Sequence, residues 1–425
     1  MKIYLDMIGC RLNQSEIEIM ARQFTTAGHS LVGDPQEADM AVVNTCTVTS
    51  AAAADSRKTI RRIARSGVTK IVSTGCWSTL CPDEALDLPG IFQVISNTDK
   101  DQLVPMILSQ KLDLFDQEPI QRVLIPGSRL RTRAFIKVQD GCNHNCTFCI
   151  TTIARGKSQS ISQGTVIEEI KGAVLGGAKE AVLTGVQLGS WGKDMDPSLD
   201  LNDLIQDVLR NTDIPRLRLS SIEPWDISAA LIESFMEDRL ARHLHLPLQS
   251  GSATVMRRMA RAITPELFAD IISRIRKKLP DIAITTDIMA GFPGETEKEF
   301  NESLDFINSM DFADGHVFVY SAREGTLAAD IPDQIPHDIR KKRSANIRDI
   351  LERSRLKYQE QFLNKDVKVL WEKVKKDPDG SWKAVGLTGN YLRVTASGSP
   401  EIRNTISTAK LLSINEDGIT GEIIQ

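Results

Sequence analysis

Three cysteines stand within eight residues of one predicted loop, and we call Cys142, Cys146 and Cys149 the CxxxCxxC triad. Thiolates at this spacing can wrap around one metal centre. A structural zinc site usually has four protein ligands, and His144, inside the loop, would have to fold back to become the fourth. Thiolate-only ligation suits iron–sulfur clusters, and a four-iron cluster held by three thiolates keeps one iron open. The loop predicts such a cluster, with zinc as the alternative.

A second set of cysteines lies in the first 80 residues, and we call Cys10, Cys46 and Cys76 the N-terminal triad. Each follows a short apolar run and precedes a polar or helical stretch. Alternating strands and helices imply a parallel sheet, whose ligands gather beyond the carboxyl ends of the strands. We therefore expect the three to converge as ligands, although free cysteines are commonly buried apolar fillers. Cys81 does not fit the pattern and is expected to be structural, with a spare ligand as the alternative role.

The elements that position these cysteines suggest an α/β protein of several parts. Residues 1–125 predict a parallel α/β domain. Residues 126–335 predict six strands alternating with helices, as in a partial (β/α)6 barrel, which gathers its chemistry at the carboxyl ends of the strands; a doubly wound sheet is the alternative. Residues 336–365 predict a basic linker helix, and 366–425 predict a small antiparallel β-barrel.

The composition is that of an ordinary globular protein, with 425 residues, 41% hydrophobic content and 25% charged content. No apolar run approaches the ~20 residues that a membrane-spanning helix needs. The first residues lack the apolar core of a secretory signal, so we expect a cytoplasmic protein without membrane association. In a reducing compartment, clustered cysteines more often bind metal than form disulfides.

A CxxxCxxC loop after the first strand of a partial barrel resembles the radical S-adenosylmethionine (SAM) superfamily. The order of the predicted parts resembles the methylthiotransferases, and the resemblance covers essentially the whole chain. Its motifs are Gly9-Cys10-Arg11-Leu12-Asn13, Asn44-Thr45-Cys46, Thr74-Gly75-Cys76, Arg155-Gly156, Leu246 to Ser252, Gly291 to Glu295 and His316 to Ser321.

This resemblance implies two 4Fe–4S clusters, one on each triad. The open iron at the CxxxCxxC triad would bind SAM, whose cleavage yields a radical that removes hydrogen from C2 of an adenine in tRNA. The N-terminal triad would hold the auxiliary cluster, where a second SAM methylates the sulfur to be transferred. An external flavodoxin or ferredoxin would supply electrons, and a monomer is the default expectation.

Several polar residues at or just beyond predicted strand ends are candidate SAM contacts, on the catalytic side of a barrel. Capping a helix or satisfying backbone groups is the alternative role for such residues. The candidates are Ser221, Glu223, Gln249 and Ser250. Three histidines on strand patterns are expected to be packed or hydrogen-bonded, and these are His243, His245 and His316.

Within the family, Arg11-Leu12-Asn13 and Ser220 to Pro224 resemble the branch that modifies N6-threonylcarbamoyladenosine beside the anticodon. Ile150 to Ala154 departs from the more frequent Ile-Ile-Pro stretch, which leaves the shape of that loop open. The same reaction on N6-isopentenyladenosine is the enzymatic alternative. A non-catalytic iron–sulfur protein that binds RNA and senses redox state is the alternative of another class.

The expected partner is the tRNA anticodon stem-loop, bound through local basic surface, because the net charge of −4 indicates nothing either way. The C-terminal part resembles a TRAM-type RNA-binding module, although its eight basic residues equal its eight acidic ones. Solvated helix faces are the alternative explanation of basic runs. The candidate RNA-binding residues are Arg57, Lys58, Arg61, Arg62 and Arg65, and the basic residues from Arg340 to Lys357.

Overall fold

The computed structural model describes residues 1–110 and 132–424. The predicted boundary between residues 125 and 126 lies outside these ranges. Within them, every helix is too short or too polar to cross a membrane.

The N-terminal part is a five-stranded parallel sheet with the strand order β2-β1-β3-β4-β5. Its middle strand β3 is buried along its whole length, as expected for a parallel strand covered on both faces. The elements are β1 (Lys2–Met7), α1 (Arg11–Thr26), β2 (Ser30–Val32), β3 (Met40–Thr45), α2 (Ser50–Arg65), β4 (Ile71–Gly75), α3 (Cys76–Leu80), α4 (Pro82–Leu86), β5 (Ile91–Val94) and α5 (Leu103–Leu108).

The central part is the predicted partial barrel. Two three-stranded parallel sheets, β6-β9-β10 and β11-β12-β13, are joined by isolated bridges from Leu217 to Leu240 and from Ser221 to His245. The elements are β6 (Arg133–Lys137), β7 (Gln139–Asp140), α6 (Thr151–Arg155), β8 (Gln159–Ser160), α7 (Gln163–Leu175), β9 (Glu180–Thr184), α8 (Leu201–Asn211), β10 (Arg216–Leu219), α9 (Ala229–Ser234), β11 (His243–His245), α10 (Ala253–Arg258), α11 (Pro265–Lys278), β12 (Ala283–Ala290), α12 (Glu297–Ser309) and β13 (Asp314–Val319).

The C-terminal part is a closed barrel with the strand order β14-β15-β16-β18-β17, preceded by a long helix. Neighbouring strands are antiparallel except for β16 and β18, which pair in parallel. An odd number of strands cannot alternate in direction all the way around a closed barrel, so one parallel pair is required. The elements are α13 (His337–Glu360), β14 (Asp366–Lys376), β15 (Trp382–Thr388), β16 (Arg393–Ser397), β17 (Ile406–Asn415) and β18 (Gly418–Ile424).

The C-terminal barrel docks against the amino ends of the central strands. Arg218 of β10 donates to the carbonyl oxygen of Gly389 at 3.0 Å, and its side chain also pairs with Glu180. The ring of Tyr391 stacks on His243, the first residue of β11, with centroids 4.3 Å apart. His243 is therefore packed against the C-terminal barrel.

Candidate active site with two cysteine triads

The structure brings the N-terminal triad together at the carboxyl edge of the first sheet. Cys10 precedes α1, Cys46 follows β3 and Cys76 begins α3. Gly9 has a φ of +105°, and a Cβ atom there would lie 2.6 Å from the Sγ atom of Cys46. Only glycine allows this approach of the first cysteine loop to the second. Cys46 and Cys76 are buried and Cys10 is exposed, so the triad opens to solvent on one side.

The surroundings of this triad suit thiolates only when a cation is present. Burial raises the pKa of Cys46 to about 11, and the neighbouring Cys10 and Cys76 act in the same direction. Neutral thiols are therefore the stable form without a metal, and iron would offset the cost of the thiolate charges. The side-chain amide of Asn97 also donates to the Cys76 sulfur at 3.6 Å. The donor set fits an iron–sulfur cluster.

The CxxxCxxC triad follows β7 and receives backbone hydrogen bonds at its sulfurs. The N–H of His144 donates to Cys142 Sγ and the N–H of Thr151 donates to Cys149 Sγ, both at 3.4 Å. Burial raises the pKa of Cys142 to about 11, with the other two thiols acting in the same direction. Outer hydrogen bonds of this kind orient and stabilise thiolate ligands. This loop also fits a cluster.

The zinc alternative loses its fourth ligand. The His144 ring nitrogen Nε2 lies 2.7 Å from the side-chain amide of Gln187, and the ring meets Trp225 edge to face. Across the two described ranges, no three His, Cys, Asp or Glu side chains are arranged to hold a single metal ion. In a four-iron cluster each thiolate binds a different iron, so its ligands need not converge on one point.

Arg155, at the end of α6, connects the two triads. Its Nε donates to the Cys76 sulfur at 3.2 Å, and its Nη1 pairs with Glu16 at 3.0 Å and with Asp140 at 2.9 Å. Its side chain is only 3% exposed. Because α6 directly follows the CxxxCxxC triad, this side chain holds both triads around one site. Sequence reasoning had noted Arg155 only as part of a family motif.

The charges around Glu16 form a buried network. Burial alone would raise the pKa of Glu16, but Arg155, Lys100 and Lys137 together hold it below its ordinary value. The Lys100 amine lies 2.8 Å from the Glu16 carboxylate, and both side chains are 2% exposed. Glu16 on α1 thus fixes the N-terminal part to the central barrel.

The substitution Glu16→Gln should destabilise the protein strongly, because it leaves the buried amine of Lys100 without its carboxylate partner and removes one carboxylate from Arg155 and Lys137. The expected loss is about 3–5 kcal/mol in the free energy of unfolding at pH 7, measured by urea titration. The folded-state pKa lies below the ordinary one, so the stabilisation is complete above about pH 5 and is lost on further acidification. The difference between the proteins should therefore shrink towards pH 3. Glu168→Gln, in an exposed pair with Lys171, is the control and should cost below about 0.5 kcal/mol.

The structure gives the four candidate SAM contacts different surroundings. Glu223 forms two hydrogen bonds with Arg261, at 3.0 and 2.5 Å, and Arg261 lies 3.9 Å from the Cys146 sulfur. Although Glu223 precedes a short 3₁₀ helix, its side chain does not cap that helix. Glu223 thus does not cap this helix, and through Arg261 it lies beside the CxxxCxxC triad. Arg261, which sequence reasoning missed, also covers the Trp225 ring at 4.7 Å.

Ser221 and Gln249 lie at carboxyl ends of the central strands. Ser221 bridges to His245, and Gln249 bridges to Ile288 with a left-handed φ of 71°. The hydroxyl of Ser250 is instead buried and lies 3.0 Å from that of Ser303 on α12. Ser250 is thus used in packing, whereas Ser221 and Gln249 stay predictions as SAM contacts.

If Glu223 binds SAM, Glu223→Gln should weaken SAM binding by roughly 10- to 100-fold, the worth of one charge-assisted hydrogen bond. Equilibrium dialysis with radiolabelled SAM measures the affinity, and iron content reports whether the cluster is intact. The control is Glu237→Gln, an exposed residue in a surface pair with Arg239. Unchanged SAM affinity at full iron content would leave Glu223 only the task of holding Arg261.

The chain matches two known families in sequence. Residues 2–96 match the family described as "Uncharacterized protein family UPF0004", and residues 136–307 match the "Radical SAM superfamily". Among solved structures, the radical SAM methyltransferase TsrM from Kitasatospora setae has a TM-score of 0.58 at 13% identity and covers 77% of each chain. This likeness concerns the fold.

Similar curated proteins cover nearly the whole chain. The chain is 34% identical to "Threonylcarbamoyladenosine tRNA methylthiotransferase MtaB" of Bacillus subtilis, over 98% of this chain and 95% of the relative. The protein of the same name from Thermotoga maritima is 35% identical over 87% and 86%. "tRNA-2-methylthio-N(6)-dimethylallyladenosine synthase" of Clostridium tetani is 29% identical over 99% and 95%. The chain therefore belongs to the radical SAM methylthiotransferases, enzymes that work with two 4Fe–4S clusters and SAM.

Proposed function

We propose that the protein adds a methylthio group to C2 of N6-threonylcarbamoyladenosine next to the anticodon of tRNA. The observation that carries this proposal is the pair of cysteine triads joined through Arg155, in a chain whose relatives named for this nucleoside are 31–35% identical to it. Relatives named for dimethylallyladenosine are 27–29% identical, which favours the first substrate. Isopentenyladenosine is the second candidate.

In this proposal the N-terminal triad holds the auxiliary cluster and the CxxxCxxC triad holds the cluster that binds SAM. When bound, these groups supply a radical able to remove hydrogen from adenine C2 and a methylthio sulfur to replace it. The chain's own cations balance the thiolate charges: Arg155 lies at Cys76 and Arg261 near Cys146. Arg155 also keeps the two triads at a fixed separation, since its guanidinium contacts Cys76 on one side and Asp140, next to the CxxxCxxC triad, on the other.

RNA binding is proposed for the exposed basic face of α2. Arg62 of this helix is paired with Asp6, and Arg57 covers the ring of Trp77, so both already have intramolecular partners. The remaining members of the predicted set are exposed, namely Lys58, Arg61 and Arg65. On α13, Arg343 is buried against Glu295 and thus serves the fold. Helix α2 begins four residues after Cys46, and the three cations lie about two to four turns further along it.

Replacing Lys58, Arg61 and Arg65 by glutamine should weaken binding of a tRNA anticodon stem-loop. Each lost phosphate contact reduces the magnitude of the negative slope of log K against log salt by about 0.7–0.9, so the loss of three contacts reduces it by roughly 2–3. Fluorescence anisotropy at several salt concentrations measures this slope. Arg210, Arg274 and Lys277, exposed on α8 and α11, provide a triple variant of equal charge as the control. Equal slopes for both variants would show that these residues of α2 do not contact the RNA.

Nucleoside analysis of tRNA from cells with and without the gene tests the proposed substrate. We expect 2-methylthio-N6-threonylcarbamoyladenosine to be absent from cells that lack the gene and to return when the gene is restored. A change confined to the isopentenyl nucleoside would select the second candidate. A non-catalytic redox protein would leave both unchanged and would form no 5′-deoxyadenosine under reduction. The external electron donor, the monomeric state and the cytoplasmic location belong to the proposal as predicted from the sequence.

A further inference from the structure

The segment between β13 and α13 touches the loops of both triads. On one side, the hydroxyl of Ser321 lies 2.5 Å from that of Ser50, the first residue of α2, shortly after Cys46. On the other side, the N–H of Ala328 donates to the carbonyl oxygen of Thr147, inside the CxxxCxxC loop, at 2.8 Å. Residues 321–328 therefore span the gap between the two triads, where a base to be modified must be held.

Arg323, in the middle of this segment, is partly buried and has two guanidinium nitrogens without a hydrogen-bond partner among the described residues. Its Nε and Nη2 atoms are buried and have no hydrogen-bond partner among the described residues. Burial lowers the pKa of Arg323, and the charged form of Cys46 acts in the opposite direction. Ser321, two residues earlier, contacts Ser50 at the start of α2, so this segment lies beside the N-terminal triad. A partly buried positive charge thus lies beside the site.

Arg323 is only partly buried and has no carboxylate partner among the described residues, unlike several fully buried arginines. Each of the following is paired with at least one carboxylate: Arg155, Arg218, Arg261 and Arg343. Withdrawing a charge from water is costly unless a counter-charge replaces the lost hydration. A buried polar group left unpaired in a folded protein calls for a specific explanation, and a ligand that supplies the missing anion is one.

The neighbouring surface is apolar, which suits the rest of a nucleoside. Val48, in the loop after Cys46, is 59% exposed, and Ile153, on α6, is 55% exposed. A Cβ atom on Gly325 would lie 3.5 Å from the Cδ1 atom of Ile153, so this side chain borders the same segment. Val48 and Ile153 thus present exposed apolar side chains near this segment, and such side chains suit the flat, uncharged part of a nucleoside.

We propose that Arg323 binds an oxyanion of the RNA substrate, either the carboxylate of the threonylcarbamoyl group or a phosphate of the same strand. The planar guanidinium matches both anions with paired hydrogen bonds. The proposal rests on the proposed function and adds the residue that fixes the base beside the N-terminal triad. In the carboxylate case the contact also selects against isopentenyladenosine, because the isopentenyl group has no charge.

Binding of three anticodon stem-loops to the reconstituted holoenzyme, without SAM, tests this inference. One RNA carries N6-threonylcarbamoyladenosine, one carries its neutral methylamide and one carries unmodified adenosine. Fluorescence anisotropy is measured under anaerobic conditions at several salt concentrations for the wild type, Arg323→Gln and Arg323→Lys. Arg274→Gln, in a surface pair with Asp270, controls for the change in charge, and iron content and thermal melting control for folding.

A carboxylate contact predicts that the wild type binds the charged nucleoside roughly 10- to 100-fold more tightly than the methylamide, and that Arg323→Gln removes this difference. A phosphate contact predicts that Arg323→Gln weakens all three RNAs equally and lowers the salt slope by about one. Arg323→Lys should retain part of the affinity in either case. If Arg323→Gln binds every RNA like the wild type, or weakens all of them at an unchanged salt slope, the inference is wrong.

The same data separate this inference from the proposed function. The wild type's preference for the threonylcarbamoyl RNA over unmodified RNA concerns the substrate alone. The differences between the wild type and the Arg323 variants concern the anion contact alone. If Arg323→Gln does not fold, Arg323→Lys and the salt slope of the wild type with the charged and neutral RNAs still distinguish the outcomes.

Discussion

Replacing Cys142, Cys146 and Cys149 together by alanine is expected to lower the iron content from about eight to about four per chain and to abolish SAM cleavage. The physical reason is that these three sulfurs are the only cysteines in the loop beside Glu223 and Arg261, so their loss removes the cluster that binds SAM. Iron analysis after anaerobic reconstitution and chromatography of 5′-deoxyadenosine measure the two effects.

Cys81→Ala is the matched control for this variant. Of the seven cysteines, Cys81 is the one that belongs to neither triad, and it lies between α3 and α4. The control should keep about eight irons and full SAM cleavage. About four irons in the wild type, falling to none in the triple variant, would mean that the N-terminal triad holds no cluster. Methylthiolation would then have no sulfur donor in this chain.

Replacing Cys10, Cys46 and Cys76 by alanine should separate the two halves of the reaction. About four irons should remain, and reduction should still yield 5′-deoxyadenosine, because the CxxxCxxC triad lies on other elements. The methylthio nucleoside should fall to background, a loss of at least roughly 1,000-fold, since the transferred sulfur has no site. Mass spectrometry of digested tRNA and the 5′-deoxyadenosine assay are read from the same reaction.

The second variant also removes one contact of Arg155. The removal of Cys76 takes away one partner of Arg155, but Glu16 and Asp140 still hold the guanidinium. We therefore expect the CxxxCxxC loop to keep its structure. Asn97→Ala leaves all six triad cysteines in place and removes one donor to the Cys76 sulfur and one hydrogen bond to the Ala154 carbonyl oxygen, so it should retain both products. Loss of 5′-deoxyadenosine together with the methylthio product would contradict the independence of the two triads.

The convergence of the N-terminal triad was predictable because it depends on a local pattern. Each cysteine follows a strand, and the carboxyl ends of parallel strands share one edge of a sheet. The partial barrel was predictable for the same reason, since alternating strands and helices restrict the topology strongly. The small C-terminal barrel was predicted as antiparallel, and its β16–β18 pair shows how closure with five strands imposes one parallel neighbour.

The polar connections of the site could not be read from the sequence. Arg155 meets Glu16 across a separation of 139 residues, and Arg261 meets Glu223 across 38. No periodicity links such partners, because only the packing of complete elements brings them together. The two unpaired guanidinium nitrogens of Arg323 can likewise be recognised only when the positions of the neighbouring side chains are known. The basic runs on α2 and α13 looked alike in sequence, yet Arg343 is buried in an ion pair.

The most direct test of the proposed function is a competition between two RNAs in one reaction. Purified, reconstituted protein receives equal amounts of anticodon stem-loops carrying N6-threonylcarbamoyladenosine and N6-isopentenyladenosine, with SAM and a reductant. Mass spectrometry of the nucleosides then follows both methylthio products over time. We expect 2-methylthio-N6-threonylcarbamoyladenosine as the main product, formed only when both triads are intact. Methylthiolation of the isopentenyl nucleoside alone, or SAM cleavage without either product, would contradict it.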